Sequence, residues 1–117
     1  MRVLVVEDEP AVRHLIDRLL TGRGHHVLTA PTAAEATALL YDFPGALDVA
    51  LLDLILPGMS GLTYAEQLER MFPGVRVVIM TGWMDGAQLG AAEARGPLLW
   101  KPFSRESLIS ATESTPV

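Results

Sequence analysis

Short apolar runs that alternate with amphipathic stretches are the feature that most constrains how this chain can fold. The runs cover residues 3–6, 27–30, 49–52, 75–80 and 98–100. Three of them are continuously apolar and rich in Val, Ile and Leu, which is typical of strands buried on both faces. Strands of this kind that alternate with helices predict a parallel sheet with right-handed crossovers and helices on both faces.

Apolar residues at helical spacing predict the connections between these runs. The first three stripes are Val12, Leu15, Ile16, Leu19 and Leu20, then Ala36, Leu39, Leu40 and Phe43, then Leu62, Ala65, Leu68 and Phe72. Thr32 and Glu35 have the spacing of a capping box, and Ser104 is a suitable N-cap for the last helix. A fourth helix is predicted over about 85–95. We therefore predict an α/β fold, a doubly wound five-stranded parallel sheet with five helices, as one domain over residues 1–117.

Composition and charge exclude several classes of protein. The chain has 117 residues, the length of about one domain, and no cysteine, which excludes disulfide frameworks, thiolate zinc sites and cysteine catalysis. Its net charge of −5 argues against direct binding of nucleic acid. The longest apolar stretch, around 49–57, is interrupted by Asp53 and is far shorter than the roughly 20 residues of a membrane span. The four apolar residues before Glu7 are too few for the apolar region of a signal peptide, so we expect a cytoplasmic protein with no membrane contact.

Charged and hydroxyl side chains follow the predicted strands, where ligands bind in open α/β sheets. They are Glu7, Asp8 and Glu9 after the first strand, Asp53 after the third, Thr81 after the fourth and Lys101 after the fifth. Lys101 is the only lysine, since the other eight basic residues are arginines. Because the carboxyl ends of parallel strands share one edge, these groups are expected to meet there.

Such a group of carboxylates needs compensation. Bringing two like charges to 4 Å near a surface costs on the order of 4 kcal/mol, so a cation or raised pKa values are required. Mg²⁺ suits this pattern best, because it accepts one or two carboxylates together with waters and phosphate oxygens. A carboxylate beside a hard cation and a lysine is a plausible acceptor for a phosphoryl group.

Four segments together resemble the response-regulator receiver domain of two-component signalling. They are Val-Val-Glu-Asp-Glu-Pro at 5–10, the stretch with the pattern Asp-x-x-x-Pro-x-x-x-Gly at 53–61, Ile-Met-Thr-Gly at 79–82 and Lys-Pro-Phe at 101–103. The resemblance covers essentially the whole chain in the right order. It implies a flavodoxin-like fold with strand order 2-1-3-4-5. The segment Leu-Leu-Trp-Lys-Pro-Phe-Ser after an Arg-Gly-Pro loop is similar to receivers at the end of hybrid sensor histidine kinases.

The resemblance implies a magnesium site. Asp8 would bind Mg²⁺ directly, Glu7 would bind it through a water, and Asp53 would contribute its carboxylate. The backbone carbonyl of Ile55 would complete the protein ligands. Glu7 stands where the family more often has aspartate, and its extra methylene still allows the water-mediated contact.

The resemblance also implies the phosphoryl chemistry. Asp53 would be the phosphoacceptor, Thr81 would hydrogen-bond a phosphoryl oxygen, and Lys101 would pair with the carboxylate at rest and with the phosphoryl group afterwards. The Lys101–Pro102 peptide bond is cis in this family. Phosphoryl transfer of this kind depends on positioning and charge neutralisation.

Three apolar or aromatic positions bear on how such a domain switches. Leu98 stands where many receivers carry a switch Tyr or Phe, so the usual coupling of threonine to an aromatic residue is in doubt. Trp100 shares a face with Leu98 and is interpreted as a packed aromatic. Trp83 either overhangs the mouth of the pocket or is a partly exposed loop residue.

The sequence thus predicts a phosphoacceptor signalling domain that takes a phosphoryl group from a histidine kinase or a phosphotransfer protein. It would not be an enzyme with a separate substrate, and would catalyse only its own phosphorylation and dephosphorylation. It would stand alone or be part of a hybrid kinase, and could form a homodimer through its fourth helix, fifth strand and fifth helix. The alternatives are a degenerate receiver that binds partners without phosphorylation, a phosphohydrolase with an aspartate nucleophile, and a flavin-binding electron carrier. Ile55 stands where the phosphohydrolase would need a second acid.

Overall fold

Five parallel strands build the central sheet. A computed structural model describes residues 1–43, 45–82 and 86–114, apart from the side chain of Ala87. The strands are β1 (Arg2–Val6), β2 (His26–Ala30), β3 (Val49–Asp53), β6 (Arg76–Thr81) and β7 (Leu98–Trp100), in the order β2-β1-β3-β6-β7. Counted along the five long strands this is the predicted order 2-1-3-4-5, and the flavodoxin-like α/β fold is confirmed.

A short hairpin lies between β3 and the next helix and was not predicted from the sequence. Its strands are β4 (Ile55–Leu56) and β5 (Met59–Ser60), which pair antiparallel. Gly58 in the turn has a φ of +77°, a conformation that favours glycine. Runs of two residues are too short for periodicity to reveal them.

Five helices connect the strands: α1 (Pro10–Gly22), α2 (Ala33–Tyr41), α3 (Gly61–Met71), α4 (Gly86–Arg95) and α5 (Arg105–Glu113). The predicted caps are present, because the hydroxyl of Thr32 accepts from the Glu35 amide and that of Ser104 accepts from the Ser107 amide. Within the described ranges, no helix is both long and apolar enough to cross a membrane.

The sheet has helices on both faces, as predicted. Alternate strand residues such as Leu4, Leu52 and Ile79 pack toward α2 and α3, whereas Val5 and Val78 pack toward α1 and α5. β3 lies in the centre of the sheet and is buried along its whole length. The strand that ends in Asp53 is therefore the most enclosed support that this fold offers for a side chain at the sheet edge.

Three large apolar residues are exposed, two from the predicted helical stripes and one interpreted as packed. Leu15 and Leu39 each lie about 100° around the helix from a fully or nearly fully buried neighbour, Ile16 and Leu40, and fall outside the face that contacts the sheet. Trp100 is 46% exposed, so its interpretation as a packed aromatic is wrong. Its strand β7 is the outermost strand of the sheet, where little of the described structure covers the side chain.

Candidate functional site

The carboxyl ends of the parallel strands bring the predicted site residues to one edge of the sheet. Glu7 and Asp8 follow β1, Asp53 is the last residue of β3, Thr81 is the last residue of β6, and Lys101 follows β7. Trp83, the remaining predicted neighbour of the site, lies outside the described residues.

Lys101 joins two carboxylates at this edge. Its Nζ donates to both oxygens of Glu7 at 2.9 Å and to Oδ2 of Asp53 at 3.0 Å. Its backbone amide donates to the carbonyl of Thr81 at 2.7 Å, and the Lys101–Pro102 peptide bond is cis, as the family resemblance implied. An ammonium group with three donors in a compact head suits three acceptor oxygens better than a planar guanidinium does.

Glu7 is the most enclosed charged group of the site. It is only 1% exposed, and burial, followed by the neighbouring Asp53, raises its pKa to about 8, although Lys101 acts in the opposite direction. Burial alone would lower the pKa of Lys101, but its hydrogen bonds to Glu7 and Asp53 raise it above the ordinary value. Burial and the neighbouring Asp53 therefore disfavour the ionised form of Glu7, and Lys101 offsets only part of this effect.

A backbone amide close in sequence helps to orient the Asp53 carboxylate. Its Oδ1 accepts from the Ile55 amide at 3.2 Å, while Oδ2 accepts from Lys101. The Gly61 amide donates to the Leu54 carbonyl at 2.8 Å, and a Cβ on Gly61 would clash with the Asp53 carbonyl oxygen. The motif glycine is thus needed for close packing behind the phosphoacceptor candidate, a role that the sequence alone did not reveal.

The carboxyl groups offer a donor set that fits a small hard cation. One oxygen each from Glu7, Asp8 and Asp53 lie within 4.8 Å of one another, and Asp8 is exposed to solvent. Carboxylate oxygens with an open, solvated side are what Mg²⁺ requires, because it retains several waters. The predicted roles of the Ile55 carbonyl and of the Thr81 hydroxyl, which is buried, remain predictions.

Sequence reasoning missed one further residue at this edge. Arg13, on the first helical turns of α1, donates from Nη1 to the backbone carbonyl of Glu7 at 2.9 Å. The sequence does not indicate this contact, because it forms only when α1 packs over the end of β1.

Similarity to known proteins agrees with this geometry. Residues 3–113 match the family described as "Response regulator receiver domain". The sensor kinase CckA of Brucella abortus is 32% identical over 113 residues, covering 95% of this chain and 12% of that protein. The two-component response regulator PhoP of Pseudomonas aeruginosa is 36% identical over 111 residues, covering 92% of this chain and 48% of that protein. The crystal structure of a receiver domain protein from Clostridium thermocellum has a TM-score of 0.79 at 29% identity, covering 94% of this chain and 89% of that one.

The chain belongs to the response regulator receiver domain family, since the family match spans nearly all of it. Receiver domains are signalling domains of two-component systems, and they bind Mg²⁺ through an acidic cluster. The chain spans about half of PhoP and about an eighth of CckA, so the functions of those whole proteins are not carried over to it.

Proposed function

We propose that Asp53 accepts a phosphoryl group from a histidine kinase or a histidine phosphotransfer protein, in a reaction that requires Mg²⁺, and that phosphorylation changes which partner the domain binds. The observation that carries the proposal is the position of Lys101 Nζ, within 3.0 Å of both Asp53 and Glu7 at the sheet edge. An aspartate that is anchored on a buried strand and paired with a lysine is well placed to act as a nucleophile toward phosphorus.

The transfer needs little covalent help from the protein. An oxygen of Asp53 would attack the phosphorus in line, the P–N bond to the donor imidazole would break, and the imidazole would leave with its electron pair. Lys101 would follow the negative charge from the carboxylate to the phosphoryl oxygens, and Thr81 would donate a hydrogen bond to one of them. The main contribution of these groups is charge that is already in position before the reaction.

The metal would be held by groups already close together. Asp8 and Asp53 would bind Mg²⁺ directly with the Ile55 carbonyl, and Glu7 would contact it through a water. The bound ion would supply positive charge to the phosphoryl oxygens. Support comes from the three carboxyl groups, whose oxygens lie within 4.8 Å.

The domain would act on itself rather than on a separate substrate, hydrolysing its own aspartyl phosphate after each transfer. Ile55 occupies the position where a phosphohydrolase would need a second acid, and this residue is 44% exposed. We place this receiver domain over residues 1–117 in the cytoplasm, because kinase donors of this kind draw on ATP.

We propose that partners bind the face formed by α4, β7 and α5, where a second copy of the chain could also bind. Trp100 is 46% exposed on β7, and a groove of about 850 Å³ runs between β7 and α5. The net charge of −5 supports a protein partner rather than direct contact with nucleic acid. The similarity to the sensor kinase CckA supports a place for this domain in a hybrid kinase, and the sequence of the full-length gene tests this.

Phosphorylation by acetyl phosphate with Mg²⁺, followed by intact mass, tests the proposal. Wild type should gain one phosphoryl group, Asp53→Asn should gain none, and the control Asp42→Asn, at an exposed position, should behave as wild type. Equal labelling of wild type and Asp53→Asn would show that the site is elsewhere. A folded wild type that is never labelled would favour the binding-module alternative, and steady turnover of a generic phosphoester would favour the phosphohydrolase.

A further inference from the structure

The loop between β1 and α1 carries two of the three carboxyl groups of the proposed metal site. No side-chain cap at the start of α1 holds this loop in place. Glu9 is the N-cap of α1 and makes no side-chain cap hydrogen bond, and Pro10 at the start of the helix has no N–H to donate. Asp8 and Glu9 are both exposed. Restraint on Asp8 therefore comes from hydrogen bonds to the backbone before it and not from a side-chain cap.

Arg13 supplies such a contact. Its Nη1 donates to the carbonyl of Glu7 at 2.9 Å in a half-buried position, and the Glu7 amide donates to the Ala30 carbonyl at 3.1 Å. A charged donor makes a stronger hydrogen bond than a neutral one. Both polar groups of the Glu7 backbone are thus held, one by the neighbouring strand and one by α1.

The peptide geometry carries this constraint to Asp8. The Glu7 carbonyl, the Asp8 amide and the Asp8 Cα lie in one peptide plane. When Arg13 holds the oxygen of that plane, it also restrains the position of the Asp8 Cα, from which the carboxylate extends. The guanidinium contacts the carbonyl and not the Glu7 carboxylate, which is paired with Lys101, so its effect is on orientation.

We propose that Arg13 is a positioning residue for Mg²⁺, acting through the Glu7–Asp8 peptide. The inference rests on the proposed function, since it assigns Asp8 as a direct ligand. Groups that orient metal ligands typically change metal affinity by 10- to 100-fold when they are removed. Loss of Arg13 should thus raise the Mg²⁺ concentration that the domain needs for phosphorylation. It should have a smaller effect on the phosphorylation rate once Mg²⁺ is bound.

The test is a MgCl₂ titration of ¹⁵N-labelled protein, followed by amide chemical shifts, so that binding is read without phosphorylation. Arg13→Met keeps the apolar part of the side chain and removes the donor, and should bind Mg²⁺ about 10-fold more weakly or worse. Arg13→Lys keeps a charged donor and should recover part of the loss. Arg18→Met, at an exposed arginine of the same helix, is the matched control and should stay within about twofold of wild type.

A second readout separates positioning from a general loss of structure. In phosphorylation by acetyl phosphate, Arg13→Met should need more Mg²⁺ for half-maximal rate yet approach the wild-type maximum at saturation. Urea unfolding without Mg²⁺ gives the folded fraction of each variant. Unchanged Mg²⁺ affinity in Arg13→Met, a loss no larger than its unfolded fraction, or a lower maximum at saturating Mg²⁺ would each overturn the inference.

Failure of the proposed function gives a different pattern. If wild type binds Mg²⁺ but is never phosphorylated, phosphoacceptor function is rejected while the shift titration still decides the role of Arg13. If wild type does not bind Mg²⁺ at all, the metal site and the role of Arg13 are both rejected.

Discussion

Two glutamates at opposite edges of the sheet show how differently the fold treats the same side chain. Glu7, at the carboxyl edge, is 1% exposed, and its pKa is raised to about 8 by burial and then by Asp53. Glu113, at the end of α5 on the amino edge, keeps 27% of its side chain exposed. Hydrogen bonds from Arg23 and then from His25 lower its pKa to about 2.

Three basic side chains hold the end of α5. Arg23 binds Glu113 at 2.5 Å and His25 binds it at 2.8 Å. Arg76 donates to the Thr112 carbonyl at 2.5 Å, a favourable position for a cation at a helix C-terminus. The hydrogen bonds from Arg23 and His25 favour the ionised form of Glu113, so its ionisation stabilises the folded chain.

At the carboxyl edge, two carboxylates share one lysine, and ionisation of Glu7 opposes folding. One lysine does not offset the burial of two carboxyl groups at the carboxyl edge, whereas Arg23 and His25 favour the ionised form of Glu113 at the amino edge. Functional sites often retain such unfavourable charge, since it is relieved when the ligand binds.

The largest expected effect is a loss of stability as pH rises, from Glu7. Its folded pKa of about 8 lies above its ordinary value of 4.5, so between these values the folded state binds a proton that the unfolded state has released. The stability of wild type relative to Glu7→Gln should therefore be highest below about pH 4.5 and fall, by up to several kcal/mol, until about pH 8. Urea unfolding of both proteins at several pH values measures this difference.

Added Mg²⁺ sharpens the same experiment. If the ion binds beside the ionised carboxyl groups, MgCl₂ should reduce the loss of wild-type stability at pH 8 and do less for Glu7→Gln. A difference between the two proteins that does not change with pH would show that the Glu7 pKa is not raised, and the contrast between the two edges would be lost.

A smaller effect is expected from steric crowding. In Gly61→Ala the new Cβ would meet the Asp53 carbonyl oxygen, and overpacking of this kind costs about 1–3 kcal/mol. Gly74→Ala, before β6 at the amino edge, places its Cβ in open space and should change stability by less than about 0.5 kcal/mol. Thermal unfolding compares the two, and acetyl phosphate labelling should be slowed only by Gly61→Ala. An equal loss of stability in the two variants would show that the backbone behind Asp53 moves to accommodate the new Cβ.

The smallest effect is expected from Glu113, because exposed ion pairs contribute little. Its folded pKa of about 2 lies below its ordinary value of 4.5, so its contribution is present above about pH 4.5 and is lost as pH falls toward 2. Glu113→Gln should be slightly less stable than wild type at pH 7, and the two should converge in acid. Glu106→Gln, at an exposed position of the same helix, is the control for urea unfolding. A stability difference between wild type and Glu113→Gln that persists at pH 2 would show that it does not come from the ion pair.

Local signals were enough to predict most of the fold. The apolar runs, the hydroxyl caps at Thr32 and Ser104 and the order of the elements each depend on residues close in sequence, and the structure confirms them. The same signals misjudged Leu39 and Trp100, because exposure depends on which part of a helix or strand a neighbouring element covers.

The sequence by itself determined that Glu7, Asp8, Asp53 and Lys101 come to one edge, because parallel strands all end on the same side of a sheet. Only the tertiary structure decided how they divide their contacts. It placed Lys101 between Glu7 and Asp53, Gly61 behind the Asp53 backbone and Arg13 on the Glu7 carbonyl. These contacts depend on how separate elements pack against one another, which no spacing along the sequence encodes.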